Sequence, residues 1–255
     1  MIRSVQVIGA GGSLGTQVCR AAERRGWTVC RDAFDITAAR KDHIRCELVI
    51  NCAAITDRKA PQYKVLAVNG LGPRVLKTAC DEAGSRLVHV STDAVFEGAG
   101  PHWEDDVPDA KSIPSIIRLF GEVRDSPHVT VRVSFIGSTG RGLIRDIIEA
   151  SPFRPVIASD MLLWNGVTSP ECADLLLDIG KTDATGVLHV PGQYTSRWAL
   201  CVDVAEWLGV DAKRLRRDDS YVSDRRLAST KWSKLGLRPL DCVKVQLSKM
   251  EKPLL

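Results

Sequence analysis

The sequence lacks paired cysteines, long apolar runs and a strong excess of one charge. Its eight cysteines form no CxxC pair, so we expect no metal site and the reduced thiols of a cytoplasmic protein. No apolar run reaches about 18 residues and no basic-then-apolar leader precedes residue 9, so we expect no membrane span and no cleaved presequence. The 35 basic and 31 acidic residues are spread evenly, which argues against a nucleic-acid partner.

The composition is that of an ordinary globular protein, 44% hydrophobic and 26% charged over 255 residues. Apolar β-branched runs alternate with helical patterns, which favours a parallel sheet covered by helices on both faces. Strands are predicted at residues 5–8, 27–30, 47–54, 86–90 and 129–136, and helices at 16–25, 62–83, 170–179 and 195–208, with the end of another at 119–124. We therefore predict an α/β fold: a Rossmann-type doubly wound parallel sheet over residues 1–137 and a smaller C-terminal substrate lobe over 138–255, with some crossing of the chain between them.

The most informative motif is a glycine-rich turn directly after the first predicted strand. Gly9, Gly12 and Gly15 are spaced as GxxGxxG, and a helical pattern follows. Free N–H groups and the dipole at a helix start attract an anion, and glycines let the backbone approach a pyrophosphate. The turn therefore predicts a dinucleotide site, although a purely structural turn would give a similar string.

Other strand ends carry side chains where the ligand of a doubly wound sheet would bind. After the second strand, Asp32 could bind the ribose of NAD and Arg31 the 2′-phosphate of NADP, so the choice of cofactor stays open. Small residues at 52–54 leave room for a cofactor or for tight packing. Ser91 and Thr92 could bond a substrate carbonyl, and Asp93 could cap a helix or orient a loop.

Several motifs occur together in one order along the chain. They are Gly9-xx-Gly12-xx-Gly15, Phe34-Asp35-Ile36-Thr37, Val49-Ile50-Asn51-Cys52-Ala53-Ala54, Val68-Asn69, Ser91-Thr92-Asp93-Ala94-Val95-Phe96-Glu97-Gly98, Gly121-Glu122 and Leu227-Ala228-Ser229-Thr230-Lys231. With them the chain resembles, over nearly its whole length, the extended short-chain dehydrogenase/reductase superfamily, and specifically its dTDP-4-dehydrorhamnose reductase branch. The string STD-x-VF-x-G at residues 91–98 is the most specific part of this resemblance.

The resemblance implies reduction of a keto group on a nucleotide-activated sugar by NADPH or NADH. The cofactor residues it implies, together with those at the strand ends, are Gly9, Gly12, Ser13, Leu14, Gly15, Arg31, Asp32, Asp35, Ile36, Cys52, Ala53, Ala54, Asn69 and Ser91. The candidate substrate residues are Thr92, Ala94, Phe96, Phe135 and Arg225, where Arg225 could reach a pyrophosphate if the distal lobe folds over the sheet.

The chain departs from this family at its proton-donating tyrosine and lysine. Counting back from the Gly-Glu pair at 121–122, the tyrosine position is Pro114 and the lysine position is Arg118. The three tyrosines, at 63, 194 and 221, all lie outside residues 91–136, so no shift of register restores the pair. Proline has no proton to give, and arginine can hold a ribose or phosphate but cannot relay a proton. Thr92, Asp93 and Arg118 are therefore the candidate catalytic residues, with His102 or a water as other proton sources.

Two functions stay open from the sequence. One is an atypical NAD(P)H-dependent reductase acting on a nucleotide sugar or a related metabolite. The other is a non-catalytic regulatory subunit that binds a dinucleotide or a sugar nucleotide. The replaced tyrosine and lysine, and Ala94 in place of the family's substrate tyrosine, fit the second function well, whereas the glycine turn fits both. The assembly stays open between a homodimer and a complex with a partner enzyme.

Overall fold

The computed structural model describes residues 2–31, 34–57, 59–137 and 142–253. Its strands are β1 (Ser4–Ile8), β2 (Thr28–Cys30), β3 (Leu48–Asn51), β4 (Arg86–Ser91), β5 (Val129–Arg132), β6 (Phe135–Ile136), β7 (Val156–Ala158), β8 (Leu162–Trp164), β9 (Val167–Thr168), β10 (Gly186–His189), β11 (Thr195–Ser196), β12 (Leu215–Arg217) and β13 (Ser223–Asp224). Its helices are α1 (Ser13–Arg24), α2 (Gln62–Val65), α3 (Gly72–Ala83), α4 (Ile113–Phe120), α5 (Leu143–Glu149), α6 (Ser169–Gly180), α7 (Arg197–Leu208) and α8 (Val243–Ser248), with a π-helical turn at Leu66–Leu71 between α2 and α3.

The central sheet has six strands in the order β10-β5-β4-β3-β1-β2, and every pair is parallel. From β1 the chain moves outward to β2 and then returns to β3 on the other side, so the strand order reverses between β1 and β3. Ligands of such sheets bind at this reversal, outside the carboxyl ends of the strands. The Rossmann-type doubly wound fold predicted from the alternating pattern is confirmed.

Both faces of the sheet are covered because successive strand residues point in opposite directions. Val5 and Val7 of β1 pack in the core shared with α1 and α6, whereas Ile8 packs with Leu76 and Ala79 of α3. All five side chains are at most 4% exposed. A strand buried on both sides in this way needs the continuous apolar run that the sequence provides.

A second core forms a smaller lobe from α5, α7 and α8 with β7 and β12. Leu200, Val204 and Leu247 lie at its centre and are at most 1% exposed. Helix α6 and strand β10 fall within residues 138–255 but belong with the large sheet. Strand β10 is one of its strands, and α6 packs in the core on one of its faces. Arg25, directly after α1, holds α6 through ion pairs with the two aspartates of that helix, Asp174 at 2.9 Å and Asp178 at 2.5 Å. The chain therefore passes from the large sheet to the smaller lobe and back.

Three predicted elements need correction, and one strand of the central sheet was missed. The strand predicted at 129–136 is split, because β5 pairs with β4 and β10 whereas β6 pairs with β9. The helix predicted at 62–83 contains the π-helical turn, and α4 ends at Phe120 rather than at 124. Strand β10 was not predicted, because its four residues begin with Gly186 at φ +72° and end with a histidine.

Two kinds of feature are absent from the described part of the chain. No helix there is long and apolar enough to cross a bilayer. Nor do three or more His, Cys, Asp or Glu side chains gather there as they would around a metal ion.

Candidate functional site

The turn between β1 and α1 contains two glycines that the fold itself requires. Gly9 has φ +78°, and a Cβ there would lie 2.8 Å from the Cα of Ala53. A Cβ on Gly15 would clash with the carbonyl oxygen of Gly9. Gly12 differs, because its φ of −77° is ordinary and an added Cβ would meet only the Gly9 oxygen, at 3.2 Å. Gly9 and Gly15 are thus needed for the turn, whereas Gly12 has free space in front of it.

The first turn of α1 is suited to an anion. Gly12 gives the helix no side-chain cap, and no acidic residue lies in the first turn. The first N–H groups of a helix have no acceptor within it, and the helix dipole adds partial positive charge there. The Ser13 Oγ is also buried without a hydrogen-bond partner among the described residues. These groups fit the phosphates of a dinucleotide.

A cavity of about 880 Å³ opens in front of this helix start, along the carboxyl ends of β1, β3, β4 and β5. Many of the predicted site residues line it: Gly12, Ser13, Leu14, Cys52, Ala54, Ser91, Thr92, Asp93, Ala94, Arg118 and Phe135. The sheet thus brings together residues that are far apart in the sequence, as expected for strand ends on one edge.

Two predicted cofactor residues near the end of β2, Arg31 and Asp35, do not line this cavity. Arg31 forms an ion pair with Glu23 of α1. Asp35 accepts hydrogen bonds from the backbone N–H and the hydroxyl of Thr37, at 2.9 and 2.7 Å. Asp32 lies outside the described residues. Arg31 and Asp35 therefore already have partners of their own.

Three further predicted cofactor residues do not line the cavity but pack or bond around the segment that follows β3. Ile36 is 4% exposed and packs in the core beside α3. The Ala53 N–H donates to the Oδ1 of Asn51 at 3.0 Å. Asn69, in the π-helical turn, accepts from the Ile55 N–H at 2.8 Å and donates to the Ile55 carbonyl at 2.9 Å. These contacts fix the loop that carries Cys52 and Ala54 into the cavity wall.

Ser91 lines the cavity, but its hydroxyl is bound from below. It donates to the Oε1 of Glu122 at 2.9 Å, and Glu122 also accepts from the Arg132 guanidinium at 2.8 and 2.9 Å. Burial raises the pKa of Glu122, but Arg132, Arg124 and Ser91 outweigh burial and hold the pKa below its ordinary value. The Gly-Glu pair of the sequence thus supplies one half of a buried ion pair beneath the strand ends.

The loop after β4 forms a hydroxyl–carboxyl pair in the cavity wall. The Thr92 hydroxyl donates to the Oδ1 of Asp93 at 3.1 Å and accepts from the Ala94 N–H at 3.1 Å. Asp93 also bonds Ser134, whose hydroxyl accepts from the Trp164 indole at 2.7 Å. Burial raises the pKa of Asp93, and the bonds from Thr92 and Ser134 offset this effect only in part. The Asp93 carboxyl therefore keeps its proton to a higher pH than an exposed aspartate does.

The positions predicted for the family's tyrosine and lysine lie in α4 and face the same cavity. Pro114 and Arg118, one helical turn apart, both line it. Burial lowers the pKa of Arg118, and its guanidinium forms no ion pair with the described residues. Its neighbour His89 is a neutral imidazole, because burial and then the charge of Arg118 lower the pKa of His89 to about 4. The cavity therefore contains an unneutralised cation at this end.

No tyrosine lies in the described lining of the cavity. The three tyrosines, Tyr63, Tyr194 and Tyr221, are 59–70% exposed and lie elsewhere. His102 stacks on Phe96 with ring centroids 4.1 Å apart, and neither ring lines the cavity. Phe96 is 1% exposed and supports the loop after β4 from inside.

Among the lining residues that the sequence interpretation missed are Arg197 and Ser134. Arg197, the first residue of α7, faces the cavity and forms no ion pair with the described residues, whereas the predicted Arg225 pairs with Glu97 at 3.2 Å and lies outside the lining. Ser134 lies in the break between β5 and β6. Ser196 caps α7 by accepting from a backbone N–H at 3.0 Å. Such a capping serine indicates in the sequence where a helix starts, but it does not indicate in which direction the helix runs.

Comparisons with known proteins agree with this architecture. The family model described as the RmlD substrate binding domain matches residues 3–241. The dTDP-4-dehydrorhamnose reductase of Mycolicibacterium smegmatis is 33% identical over 270 residues, covering 94% of this chain and 82% of its own length. The enzyme of the same name from Mycobacterium tuberculosis strain H37Rv is 29% identical over 277 residues, covering 92% of this chain and 88% of its own.

Solved structures share the fold at lower identity. The dTDP-4-dehydrorhamnose reductase of Bacillus anthracis, solved with NADP, superposes with a TM-score of 0.81 at 18% identity, covering 98% of this chain and 97% of that one. MoeE5, solved with UDP-glucose and NAD, has a TM-score of 0.76 at 21% identity, covering 96% of both chains. From the family match and these relatives, the chain belongs to the RmlD substrate-binding-domain family, in the dTDP-4-dehydrorhamnose reductase-like branch of the extended short-chain dehydrogenases/reductases.

Proposed function

We propose that the protein binds NADPH or NADH at the glycine turn and reduces a keto group on a nucleotide-linked sugar. One observation carries the proposal: the cavity combines the uncapped start of α1, the Thr92–Asp93 pair and two arginines that form no ion pair with the described residues. The M. smegmatis relative is named as a reductase of such a sugar, and the B. anthracis structure holds NADP.

The dinucleotide would be held by backbone more than by side chains. The N–H groups at the start of α1 and the Ser13 hydroxyl would bind its phosphates, with Gly12 leaving the approach clear. Cys52 and Ala54 would leave room for the ribose and nicotinamide. When bound, the nicotinamide supplies the hydride. Arg31 follows β2 and would have to exchange Glu23 for a 2′-phosphate, so affinities for NADPH and NADH must be compared directly.

Thr92 is the proposed proton donor in place of the family's tyrosine. Its hydroxyl would turn from Asp93 and give its proton to the oxygen of the reduced keto group, and protonated Asp93, 3.1 Å away, would then donate a proton to the Thr92 oxygen. Burial raises the pKa of Asp93, which favours the protonated form that this role needs.

The two arginines would bind the anionic parts of the ligands. Arg118 would donate to a ribose or phosphate at the lysine position, without relaying a proton. Arg197, rather than the Glu97-bound Arg225, would bind the pyrophosphate of the nucleotide sugar, since guanidinium groups match phosphate oxygens in pairs.

The test is oxidation of NADPH and NADH by the intact chain with a panel of nucleotide-linked keto sugars. Thr92→Val should lower kcat by about 10²–10⁴-fold, the usual contribution of a positioned acid. Thr78→Val on the exposed side of α3 is the matched control and should leave turnover unchanged. Equal rates for wild type and Thr92→Val would remove Thr92 from the mechanism.

The alternative function is a non-catalytic subunit that binds a dinucleotide or sugar nucleotide. It is favoured by Pro114 at the tyrosine position together with the absence of a tyrosine from the described cavity lining. Under this alternative, calorimetry would detect dinucleotide binding but no keto sugar in the panel would be reduced. Turnover above background would contradict it, and failure to bind either dinucleotide would contradict both functions.

A further inference from the structure

Two thiols lie in contact where β2 ends. The Cys46 thiol donates to the Cys30 Sγ at 3.2 Å, and neither cysteine is in a disulfide. Bonded sulfur atoms are about 2.05 Å apart, so the two atoms need to approach by only about 1 Å to form a bond. Cys30 is half-buried and Cys46 is 6% exposed, so a small solute reaches Cys30 first.

The two cysteines differ in how firmly they are held. The segment before Cys46 is fixed through Gln6, which donates to the His43 carbonyl at 2.7 Å and accepts from the Arg45 N–H at 2.9 Å. Cys30 instead ends a three-residue strand at the edge of the sheet, paired only with β1. Closing the gap would therefore draw the end of β2 toward residue 46, and would move Arg31 with it.

We propose that Cys30 and Cys46 form a site of reversible thiol oxidation, at which a small-molecule disulfide converts them to an internal disulfide. Cys30 attacks one sulfur of the small disulfide, forms a mixed disulfide and releases the first small thiol. Cys46 then attacks the Cys30 sulfur, forms the internal bond and releases the second small thiol. The two cysteine protons end on the released thiols, so the protein is oxidised by two electrons and the small disulfide is reduced by two.

The oxidation has a consequence for binding, and this consequence rests on the proposed function. Arg31 follows Cys30 directly and stands at the strand end where these sheets bind the ribose of a dinucleotide. Oxidation, by moving this strand end, should weaken dinucleotide binding several-fold, and a reducing agent should restore the binding.

The chemical step is tested by mass spectrometry of the intact chain after incubation with oxidised glutathione. Wild type should lose two hydrogen masses, and digestion should yield a peptide that links residues 30 and 46. Cys46→Ser should stop at a glutathione adduct on Cys30, and Cys30→Ser should give no internal bond. Cys242→Ser, at a half-buried thiol of the smaller lobe, is the control and should still form the bond. A glutathione adduct without the internal link in wild type would overturn the proposal.

Calorimetry with NADPH and NADH separates this proposal from the proposed function. If the disulfide forms but the reduced protein binds neither dinucleotide, the proposed function fails and the thiol site stands. If the disulfide forms and affinity is unchanged, the effect on binding is overturned. A loss of affinity in wild type that Cys46→Ser does not show would support the link between the two.

Discussion

Among single side chains, Asp93 controls the proposed proton transfer through its protonation. Burial raises its pKa, and the opposing effects of Thr92, Arg225 and Ser134 are smaller in sum. Only the protonated carboxyl can restore the proton of Thr92, so kcat should fall as the pH rises through this raised pKa. Asp93→Asn should lower kcat and remove that decline. The measurement is kcat against pH for both proteins, and a decline that persists in Asp93→Asn would assign it to another group.

The buried pair of Glu122 and Arg132 is a second feature at the residue scale, and it acts on stability. Both side chains are 1% exposed, so Glu122→Gln leaves a buried guanidinium without its counter-charge and should cost about 3–5 kcal/mol of unfolding free energy. The folded-state pKa of Glu122 lies below its ordinary value of 4.5, so its contribution is present above that pH and is lost as the pH falls further.

Urea unfolding of wild type and variant at neutral and acidic pH measures this contribution. The difference between the two proteins should be large at neutral pH and should shrink on acidification. Glu251→Gln is the matched control, because the side chain of Glu251 is 94% exposed and its contact with Arg20 is 3.9 Å long. A Glu122→Gln midpoint as close to wild type as that of the control would show that the pair does not stabilise the fold.

At the scale of elements, the strand–turn–helix unit of β1 and α1 separates a glycine needed for folding from one needed for binding. Gly12→Val keeps an allowed backbone and meets only one oxygen at 3.2 Å, so the chain should fold and lose at least about tenfold in dinucleotide affinity. Gly15→Val places a Cβ against the Gly9 carbonyl and should lower stability by more than about 1 kcal/mol. Calorimetry and thermal unfolding give the two readouts. Unchanged affinity in folded Gly12→Val would move the phosphate site away from this turn.

Elements whose form depends on nearby residues could be predicted, and those that depend on distant pairing could not. The turn at Gly9 and Gly15 needs only its own backbone and the neighbouring strand, so the spacing of its glycines was a sufficient signal. The end of β5 at Arg132 depends instead on β9. This strand lies more than thirty positions further along the chain and pairs with Phe135. No local pattern marks such a break, because either strand alone reads as an apolar run.

At the scale of the whole molecule, the candidate site is shared between two lobes, which explains why only half of it was predicted. Strand ends of one parallel sheet must meet at one edge, so the approach of Thr92 to the glycine turn follows from the fold class. The approach of Arg197 depends on how α7 packs in the smaller lobe, around Leu200 and Val204. Arg225 was chosen as an arginine of the distal lobe that could reach a pyrophosphate, and the structure pairs it with Glu97.

The shared cavity leads to a prediction for the stability of the whole chain. A ligand that binds only the folded protein stabilises it by about 2.7 kcal/mol at about 100 times its Kd, which raises Tm by several degrees. NADPH or NADH should therefore raise the Tm of wild type, and a nucleotide sugar should raise it further if Arg197 binds its pyrophosphate. Arg197→Gln should lose the second increase but keep the first, whereas Gly12→Val should lose the first. If Arg197→Gln keeps both increases, the nucleotide sugar is bound without the smaller lobe, and the site belongs to the sheet alone.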